Sequence, residues 1–418
     1  MKNAKPFSAI IGALALFAAV PAAAQIERIA PASNAVVRQM HTIQREYAKI
    51  PWAECEKYFD GAENAKRLKS HGSNPVPVRM EWKGESKEYL VTVRRLPDGK
   101  VFFAQVVATN CVEVDSLDIG TEWEWTVSAG DDRLVSHFKT EDVLPRLVRM
   151  TGTDNCRDIG GRVGLDGRRI RQGLVYRTAG LNSNAPIDYY STDEILELEK
   201  SGKLEKMGSQ GEKLHKKLAA GEKLSHHGIR NGLVKRCRFA PGSRRLSDRE
   251  VARILTAYGI RSDLDLRSAN ECYGMTGSPL GPSVKWFNIS YRAYSGAFDD
   301  KGQAINKKVF DVFMDGDNYP IVFHCIGGAD RTGTVAMILE ALLGVSEEDL
   351  WRDYLATGFT GRVSDSRHKK MFGSALDCLK KRPGETLAEK AEAFLLELGF
   401  TKEDVHRLRE RLLERGVH

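Results

Sequence analysis

One segment, His324–Thr334, constrains the fold of this chain more than any other feature. It reads His-Cys-Ile-Gly-Gly-Ala-Asp-Arg-Thr-Gly-Thr, follows the apolar run 321–323 and precedes the apolar helical pattern 335–340. The order is therefore strand, glycine-rich loop, helix. In such a loop successive backbone N–H groups turn toward one point, and the positive end of the helix dipole lies at the same point. The segment therefore predicts an anion site at the end of a strand in an α/β domain.

The side chains of this loop suit phosphate chemistry. Arg331 can offer a planar fork to two phosphate oxygens. A thiol at Cys325 lies beside the loop N–H groups and Arg331, which favour the thiolate and lower the pKa from its usual value of about 8.5. A thiolate beneath an anion site is a nucleophile aimed at phosphorus. We expect Thr332 to donate a hydrogen bond to the sulfur and His324 to order the loop from behind.

A cysteine or a glycine-rich stretch taken alone has a structural explanation, but the combination of residues in this loop favours a phosphate site. A lone cysteine is usually a small buried hydrophobe, and a lone glycine-rich stretch before a helix indicates little. The Gly-Lys-Ser/Thr ending of a nucleotide-binding loop is absent. Six positions nevertheless agree with a cysteine-based phosphate site: His324, Cys325, Gly328, Arg331, Thr332 and Gly333.

The first 24 residues predict a secretory signal. Lys2 and Lys5 precede an apolar run over 8–20, and alanines at 22–24 supply the small-residue cleavage pattern. The run is shorter than the ~20 residues that a membrane-spanning helix needs. We therefore expect an exported protein, periplasmic or secreted, with no membrane anchor after cleavage.

Composition limits the partners and the redox state. The chain has 418 residues, a net charge of +7, 42% hydrophobic and 28% charged residues. These values exclude a disordered chain and a multi-span membrane protein, and they do not indicate nucleic acid as a partner. Export permits disulfides, and because the chain has seven cysteines at least one stays unpaired. Cys55 with Cys111 is the first pair to test.

The chain divides into a front part and a back part. Residues 25–74 predict an N-terminal helical segment, and β-rich runs over 75–142, about 8–12 residues apart, predict a small all-β sandwich that resembles a fibronectin type III module. From 143 to 418 apolar strands alternate with helical patterns, which predicts α/β organisation with a central sheet flanked by helices. A Lys- and Glu-rich insert at about 192–228 interrupts this part with a solvated face.

Individual elements of the back part can also be placed. Strands are predicted at 260–266, 284–289 and 321–323. A helix is predicted at 304–314, and an amphipathic helical tail over 387–415 is interrupted at Gly399.

Four segments resemble the bacterial secreted group of protein tyrosine phosphatases. Cys325 to Arg331 is the Cys-x5-Arg signature of these enzymes. Asn155–Gly161 is similar to the group's Asn-Phe-Arg-Asp-Leu-Gly-Gly motif, Gly173–Thr178 to the strand and turn that follow it, and Ile260–Arg267 to its Ile-Asp-Leu-Arg strand. The resemblance covers roughly 143–418 apart from the insert, and it implies a tyrosine-phosphatase-like catalytic domain.

The resemblance implies two-step hydrolysis of a phosphomonoester without a metal or other cofactor. Cys325 attacks phosphorus and forms a phosphocysteine, while an acid protonates the leaving oxygen; water then hydrolyses the intermediate with the same residue as base. Arg331 and the loop N–H groups stabilise the phosphoryl oxygens. The loop residues assigned to substrate binding are Ile326, Gly327, Gly328 and Ala329.

Two positions in the chain are candidates for the general acid. In the bacterial group the residue before the signature arginine is favoured, which corresponds to Asp330 here. Other tyrosine phosphatases use an Asp on a separate upstream loop, for which Asp299 and Asp300 are the candidates. Arg157 and Asp158 are assigned to phosphate or substrate binding, with a structural role as the alternative.

Two positions depart from the resemblance and bear on the substrate. Ala329 stands where some relatives carry a Lys that helps with multiply phosphorylated lipids, and its absence weighs against phosphoinositides. Cys156 replaces an aromatic residue, and we expect it to pack or to form a structural bridge.

The predicted function is an exported tyrosine phosphatase, with dual specificity left open, acting on a phosphorylated protein. One alternative is a phytase-like inositol-phosphate phosphatase or a phosphoinositide phosphatase. Another is a phospho-ligand binding module without turnover. Basic residues that would serve a polyanionic substrate are Arg168, Arg169, Arg171, Lys235, Arg236 and Arg238.

Overall fold

The structure is a computed structural model, and it describes residues 26–55, 57–59, 72–96, 98–181, 187–189, 192–222, 235–237, 248–272, 275–361 and 366–415. The predicted signal over 1–24 lies outside these residues. The chain forms two compact units, one from Met1–Gln39 with Val76–Asp142 and the other from Met40–Pro75 with Val143–His418. Within the described residues, no helix combines the length and the apolar character needed to cross a membrane.

The described residues of the first unit form two sheets. Their strands are β1 Glu27–Ala30, β2 Ala35–Val37, β3 Val78–Lys83, β4 Tyr89–Arg95, β5 Val101–Val107, β6 Cys111–Val114, β7 Glu122–Ala129 and β8 Asp132–Thr140. One sheet has the order β1-β3-β6 and the other β2-β8-β7-β4-β5. Side chains alternate along β4, so that Tyr89, Val91 and Val93 are buried with Trp123 and Trp125 of β7 in one apolar core.

The helical prediction for the start of the chain is wrong in part. Residues 27–30 and 35–37 are strands that pair with β3 and β8. The local sequence did not predict them because the conformation of a short edge strand depends on its pairing with strands far along the chain. Among the described residues, the first helix begins at Thr42 and belongs to the second unit.

The second unit is built on a five-stranded sheet of order β14-β13-β15-β10-β9. Its strands, with a separate pair β11 and β12, are β9 Arg157–Asp158, β10 Val175–Thr178, β11 Ile187–Tyr189, β12 Lys235–Cys237, β13 Ser262–Asp265, β14 Lys285–Asn288 and β15 Ile321–His324. Strands β10, β13, β14 and β15 are parallel, and Thr178 and Asp265 lie level with His324. The carboxyl ends of three neighbouring strands therefore meet where the cysteine loop begins.

Helices surround this sheet. They are α1 Thr42–Lys49, α2 Trp52–Cys55, α3 Thr192–Lys200, α4 Gly208–Ala219, α5 Asp248–Tyr258, α6 Asp300–Met314, α7 Asp330–Leu342, α8 Glu347–Leu355, α9 Ser366–Lys380, α10 Leu387–Glu397 and α11 Lys402–Leu412. Helix α7 is buried from Thr332 to Leu342, which explains its apolar sequence and fixes the start of the helix against the sheet. The predicted strands and helices of this part are confirmed, with the tail divided into α10 and α11 around Gly399.

Side chains from residues 40–55 and 57–59 pack into the core of the second unit. The Tyr47 hydroxyl donates to the Arg352 carbonyl oxygen at 2.7 Å, and its ring meets Phe359 edge-on at 5.2 Å. Phe59 lies so close to Gly358 that an added Cβ would come within 2.3 Å of its ring. This stretch is part of the fold that carries the cysteine loop.

Helices α3 and α4 occupy most of the predicted insert. Ile195, Leu204 and Leu214 are buried together as a small apolar cluster, while Lys213 and Lys216 are exposed. Residues 223–228 of the predicted insert lie outside the described residues. The charged sequence thus forms a solvated helical hairpin with its own apolar contacts.

Candidate active site

The cysteine loop is held open by hydrogen bonds to its outward-facing carbonyls. The oxygens of Ile326, Gly327 and Gly328 each accept one bond. The donors, in order, are the Gly180 N–H at 3.0 Å, Asn155 Nδ2 at 3.0 Å and Arg177 Nη2 at 2.8 Å. Because the C=O and N–H of one peptide point in opposite directions, the N–H groups that follow these carbonyls turn to the inner side of the loop. This arrangement fits an anion site.

Gly328 is required by the backbone. Its φ is +65°, a left-handed conformation, and an added Cβ would lie 2.5 Å from the Thr178 carbonyl oxygen. Only glycine adopts this turn and this close approach without strain.

Cys325 lies at the bottom of the loop, with 3% of its surface exposed. Burial raises its pKa, but the hydroxyl and N–H of Thr332, the charge of Arg331 and the N–H of Gly328 outweigh burial, so the pKa of the thiol is lowered. The Thr332 hydroxyl has no other hydrogen-bond partner among the described residues. These contacts favour the thiolate, the nucleophilic form.

Arg331 is oriented by a carboxylate that the sequence analysis did not single out. Its Nη1 and Nη2 donate to Glu271 at 2.6 and 2.9 Å. Glu271 in turn accepts from the N–H and hydroxyl of Ser268 at 2.8 and 2.9 Å. Burial raises the pKa of Glu271, but the Arg331 contact outweighs it and the pKa is lowered. Ser-x-x-Glu after the Asp-Leu-Arg strand is a capping pattern that could have signalled this residue.

His324 is fully buried behind the loop. Its Nε2 lies 2.9 Å from Asp263 Oδ1, and its Nδ1 lies 3.2 Å from the Cys325 carbonyl oxygen. Burial disfavours the charged ring, but the carboxylates of Asp265 and Asp263 outweigh burial and raise the pKa of His324. The ring has no exposed surface, and its role in ordering the loop stays a prediction.

The two places for a general acid differ in their contacts. Asp330 is the first residue of α7, at the rim of the loop, and its Oδ1 accepts a hydrogen bond from the Tyr294 hydroxyl. Asp299 instead caps α6, accepts from the Gly302 N–H at 2.8 Å and pairs with Arg292 at 3.0 Å. Asp300 is exposed in the first turn of α6. This geometry favours Asp330.

Arg157 and Asp158 do not face the loop interior. Arg157 is 1% exposed, and its guanidinium donates to Asp353 Oδ1 at 2.9 Å and to Asn155 Oδ1 at 2.5 Å. Asp158 is fully buried and pairs with Arg146 at 2.5 Å. Their polar atoms are committed to the interior, which supports the structural alternative over substrate binding.

A buried group of charges joins these residues to the loop, and we name it the Asp353 cluster: Arg157, Arg162, Arg177, Glu340 and Asp353. Asp353 pairs with all three arginines, at 2.7 Å for Arg162 and 2.9 Å for Arg157. Burial raises the pKa of Asp353, but the three guanidiniums outweigh it and hold the pKa well below its usual range. No local pattern distinguishes Asp353 from other acids on an amphipathic helix, so the sequence analysis missed it.

Cys55 and Cys111 are free thiols, so the expected bridge between them is not formed. Cys156 packs in the interior and its Sγ lies 3.4 Å from the Asp154 carbonyl oxygen. Burial raises the pKa of its thiol, the opposite of the shift at Cys325. In the described part of the chain, no cluster of three or more His, Cys, Asp or Glu residues is arranged to hold a metal ion.

A thiolate-favouring cysteine, a loop of inward N–H groups and an oriented arginine at the end of a parallel strand define the class of cysteine-dependent phosphatases. The profile of the family described as "Tyrosine phosphatase family" matches residues 148–200 and 220–414, more than half of the chain. The chain therefore belongs to the tyrosine phosphatase family, which confirms the predicted type of enzyme. The interval 201–219 between the matched ranges contains α4.

A candidate tyrosine-protein phosphatase of Cupriavidus necator is similar to this chain. The two are 27% identical over 206 residues, which cover 48% of this chain and 59% of the relative. The chain thus spans less than two thirds of the length of the curated relative that it matches.

Proposed function

We propose that this protein is an exported protein tyrosine phosphatase that hydrolyses phosphomonoesters through a phosphocysteine on Cys325. The observation that carries the proposal is a cysteine at the start of a loop whose carbonyls are held outward by hydrogen bonds and whose Arg331 is oriented by Glu271. Arg331, oriented by Glu271, supplies the charge that binds phosphate.

The proposed reaction has two steps. In the first, the Cys325 sulfur forms a bond to phosphorus, the bond from phosphorus to the ester oxygen breaks, and Asp330 gives its proton to that oxygen. In the second, Asp330 takes a proton from water, the water oxygen bonds to phosphorus, and the thiolate leaves with a hydrogen bond from Thr332. The N–H groups of the loop and Arg331 stabilise the equatorial oxygens in both steps.

An aryl ester is the preferred substrate class in this proposal. Ile326, the residue after Cys325 in the loop, exposes 45% of its surface, and we propose that its apolar side chain borders the leaving group. An aromatic ring would gain from this contact because it removes apolar surface from water. Phosphotyrosine therefore suits the site. Turnover of phosphoserine and phosphothreonine would measure dual specificity.

The inositol-phosphate alternative finds less support in the basic residues. Arg168 pairs with Glu410 at 2.6 Å, and Arg169 and Arg171 donate to backbone carbonyl oxygens at 2.9 and 2.8 Å. The side chains of Lys235, Arg236 and Arg238 are outside the described set. The first three arginines have structural partners and do not form a free cationic surface.

Phosphate release by the chain from residue 25 onward tests the activity. The assay would contain EDTA and a thiol reductant, and it would compare phosphotyrosine, phosphoserine and phosphothreonine peptides, a phosphoinositide and inositol hexakisphosphate. We expect turnover of the phosphotyrosine peptide that Cys325→Ser abolishes. Preference for inositol hexakisphosphate would replace the proposed substrate class. No turnover of any substrate would contradict the enzyme and favour a binding module.

The proposal includes export and a separate role for the first unit. Residues 1–24 have the composition of a cleaved signal, and N-terminal sequencing of protein from the periplasm or medium should begin at Gln25. Protein found only in the cytoplasm with Met1 intact would contradict export. The two-sheet first unit is proposed to be a fibronectin III-like module.

A further inference from the structure

Tyr294 is a residue that neither the family signature nor the reaction above uses, although it contacts the proposed acid. We infer that Tyr294 is a positioning residue that fixes one oxygen of Asp330, and that Thr334 and Tyr354 hold Tyr294 in place. This inference rests on the proposed function. It follows from three independent observations on the backbone, the hydroxyl and the packing of this tyrosine.

The backbone at Tyr294 is held in an uncommon conformation. Its φ is +59°, in the left-handed region that bulky residues rarely adopt. Its N–H donates to the Thr334 hydroxyl at 2.9 Å, and that hydroxyl donates to the Asp330 carbonyl oxygen at 2.8 Å. Strain of this kind persists where the surroundings impose it, and it is concentrated at functional sites. Thr334 therefore joins the backbones of Tyr294 and Asp330.

The hydroxyl of Tyr294 lies between two partners. It donates to Asp330 Oδ1, and it lies 2.9 Å from the Tyr354 hydroxyl. Because a phenol has one proton and that of Tyr294 goes to Asp330, the proton between the two tyrosines comes from Tyr354, whose hydroxyl lies closer to Tyr294 than to its other acceptor, the His368 carbonyl oxygen at 3.4 Å. Burial, Tyr354 and Asp330 all raise the pKa of Tyr294, so it stays a donor at any pH of interest.

Packing leaves this arrangement little freedom. Tyr294 is 4% exposed, and the ring of Tyr354 stacks on Phe372 with 4.1 Å between centroids. A Cβ added at Gly333 would lie 3.1 Å from the Tyr354 ring, so helix α7 and this ring are in close contact. The two phenols are thus fixed relative to the first turn of α7, where Asp330 lies.

Because Tyr294 holds Oδ1 of Asp330, the other oxygen, Oδ2, is the one that transfers the proton. Among the described residues none donates to Oδ2 of Asp330, whereas Oδ1 is occupied by Tyr294. A protonated carboxyl that accepts at Oδ1 carries its proton on Oδ2, from which the proton passes to the leaving oxygen as the P–O bond breaks. In the second step Oδ2 takes the proton of the attacking water. One hydrogen bond from Tyr294 thus serves both directions of proton transfer.

The test compares two esters that differ in their need for an acid. Phenolate leaves poorly without a proton, whereas 4-nitrophenolate is a weak base and leaves unaided. We expect Tyr294→Phe to lower kcat/KM for phenyl phosphate ~10–100-fold and to change kcat/KM for 4-nitrophenyl phosphate less than ~3-fold. Equal losses on both esters would overturn the inference, because a merely structural role affects both.

A matched control lies three residues away. The Tyr291 hydroxyl donates to Asn306 Oδ1 at 2.7 Å in the same interior, without contact to Asp330. We expect Tyr291→Phe to leave the ratio of the two esters unchanged. A change in that ratio equal to the one from Tyr294→Phe would assign the effect to buried tyrosines in general and overturn the inference.

Two further variants keep the inference testable if Tyr294→Phe does not fold. Tyr354→Phe removes the donor to Tyr294 and should give a smaller loss with the same preference for the acid-dependent ester. Adding Tyr294→Phe to Asp330→Asn should cost phenyl phosphate turnover nothing further, because the tyrosine acts through Asp330. The inference would be overturned if the activity losses of Tyr294→Phe and Asp330→Asn multiplied in the double variant. It would also be overturned if Tyr354→Phe lowered kcat/KM equally for both esters. A wild-type protein inactive on every ester would overturn the proposed function itself.

Discussion

The cysteine loop lies between two groups of arginine and carboxylate side chains that differ in exposure. The Asp353 cluster is buried and holds the loop through Arg177, whose Nη2 reaches the Gly328 carbonyl oxygen. The Glu271–Arg331 pair on the other side is partly exposed, with 29% and 19% of the side-chain surfaces accessible. The same pairing chemistry therefore serves two purposes. The buried Asp353 cluster fixes the backbone geometry of the loop. The Glu271–Arg331 pair, which water can reach, presents the Arg331 cation to a ligand.

The largest expected effect is loss of the buried carboxylate. Asp353→Ala leaves three guanidiniums without their common partner, and the free energy of unfolding should fall by about 3–5 kcal/mol. Urea denaturation measures this. Glu348→Gln is the control on the same helix, because its partly exposed pair with Arg352 should contribute less than about 1 kcal/mol. Equal effects of the two variants would remove the distinction between the buried and exposed groups.

A methyl group at Gly328 should break the link between the Asp353 cluster and the loop. Gly328→Ala must relieve both a left-handed φ and a 2.5 Å contact with the Thr178 carbonyl oxygen. We expect a stability loss of about 1–3 kcal/mol together with loss of most phosphatase activity. At Gly277 an added Cβ meets nothing within 4 Å, so Gly277→Ala should retain activity and stability. A Gly328→Ala protein with wild-type kcat/KM would show that the loop tolerates a different backbone.

The exposed pair should affect activity more than stability. Glu271→Gln keeps the shape of the side chain but removes the charge that orients Arg331. We expect kcat/KM to fall roughly tenfold, as for other groups that orient a ligand-binding side chain. The free energy of unfolding should change by less than about 1 kcal/mol in urea. A stability loss as large as that of Asp353→Ala, with activity retained, would reverse the roles assigned to the two groups.

The smallest expected effect is a shift in the titration of Cys325. Thr332→Val removes a hydroxyl that lowers the pKa of the thiol, so that pKa should rise. Because the thiolate is the reactive form, alkylation by iodoacetate slows as pH falls through the pKa. The variant should therefore require a higher pH for half-maximal rate. Cys325→Ser serves as the control for alkylation elsewhere, and an unchanged pH profile would exclude Thr332 from the stabilisation of the thiolate.

Local patterns predicted the parts of the site that are contiguous in the chain. The strand, loop and helix around Cys325 are formed as expected, because a single segment contains all the residues that shape them. Glu271, Tyr294 and Asp353 were missed because they reach the loop from distant segments, and the Asp353 contact to Arg157 spans 196 positions. The burial of Arg157 was not predicted because its motif gives the residue types without the side chains that pack around them.

The path of the chain through the two units has a consequence for how the protein can be divided. The backbone passes from one unit to the other at 39/40, again at 75/76 and again at 142/143. Tyr47 and Phe59 precede most of the first unit yet complete the apolar interior around Phe359. A gene fragment that starts at residue 143 would encode an incomplete enzyme. Exchange of residues 1–142 as one segment would remove Tyr47 and Phe59 from this interior.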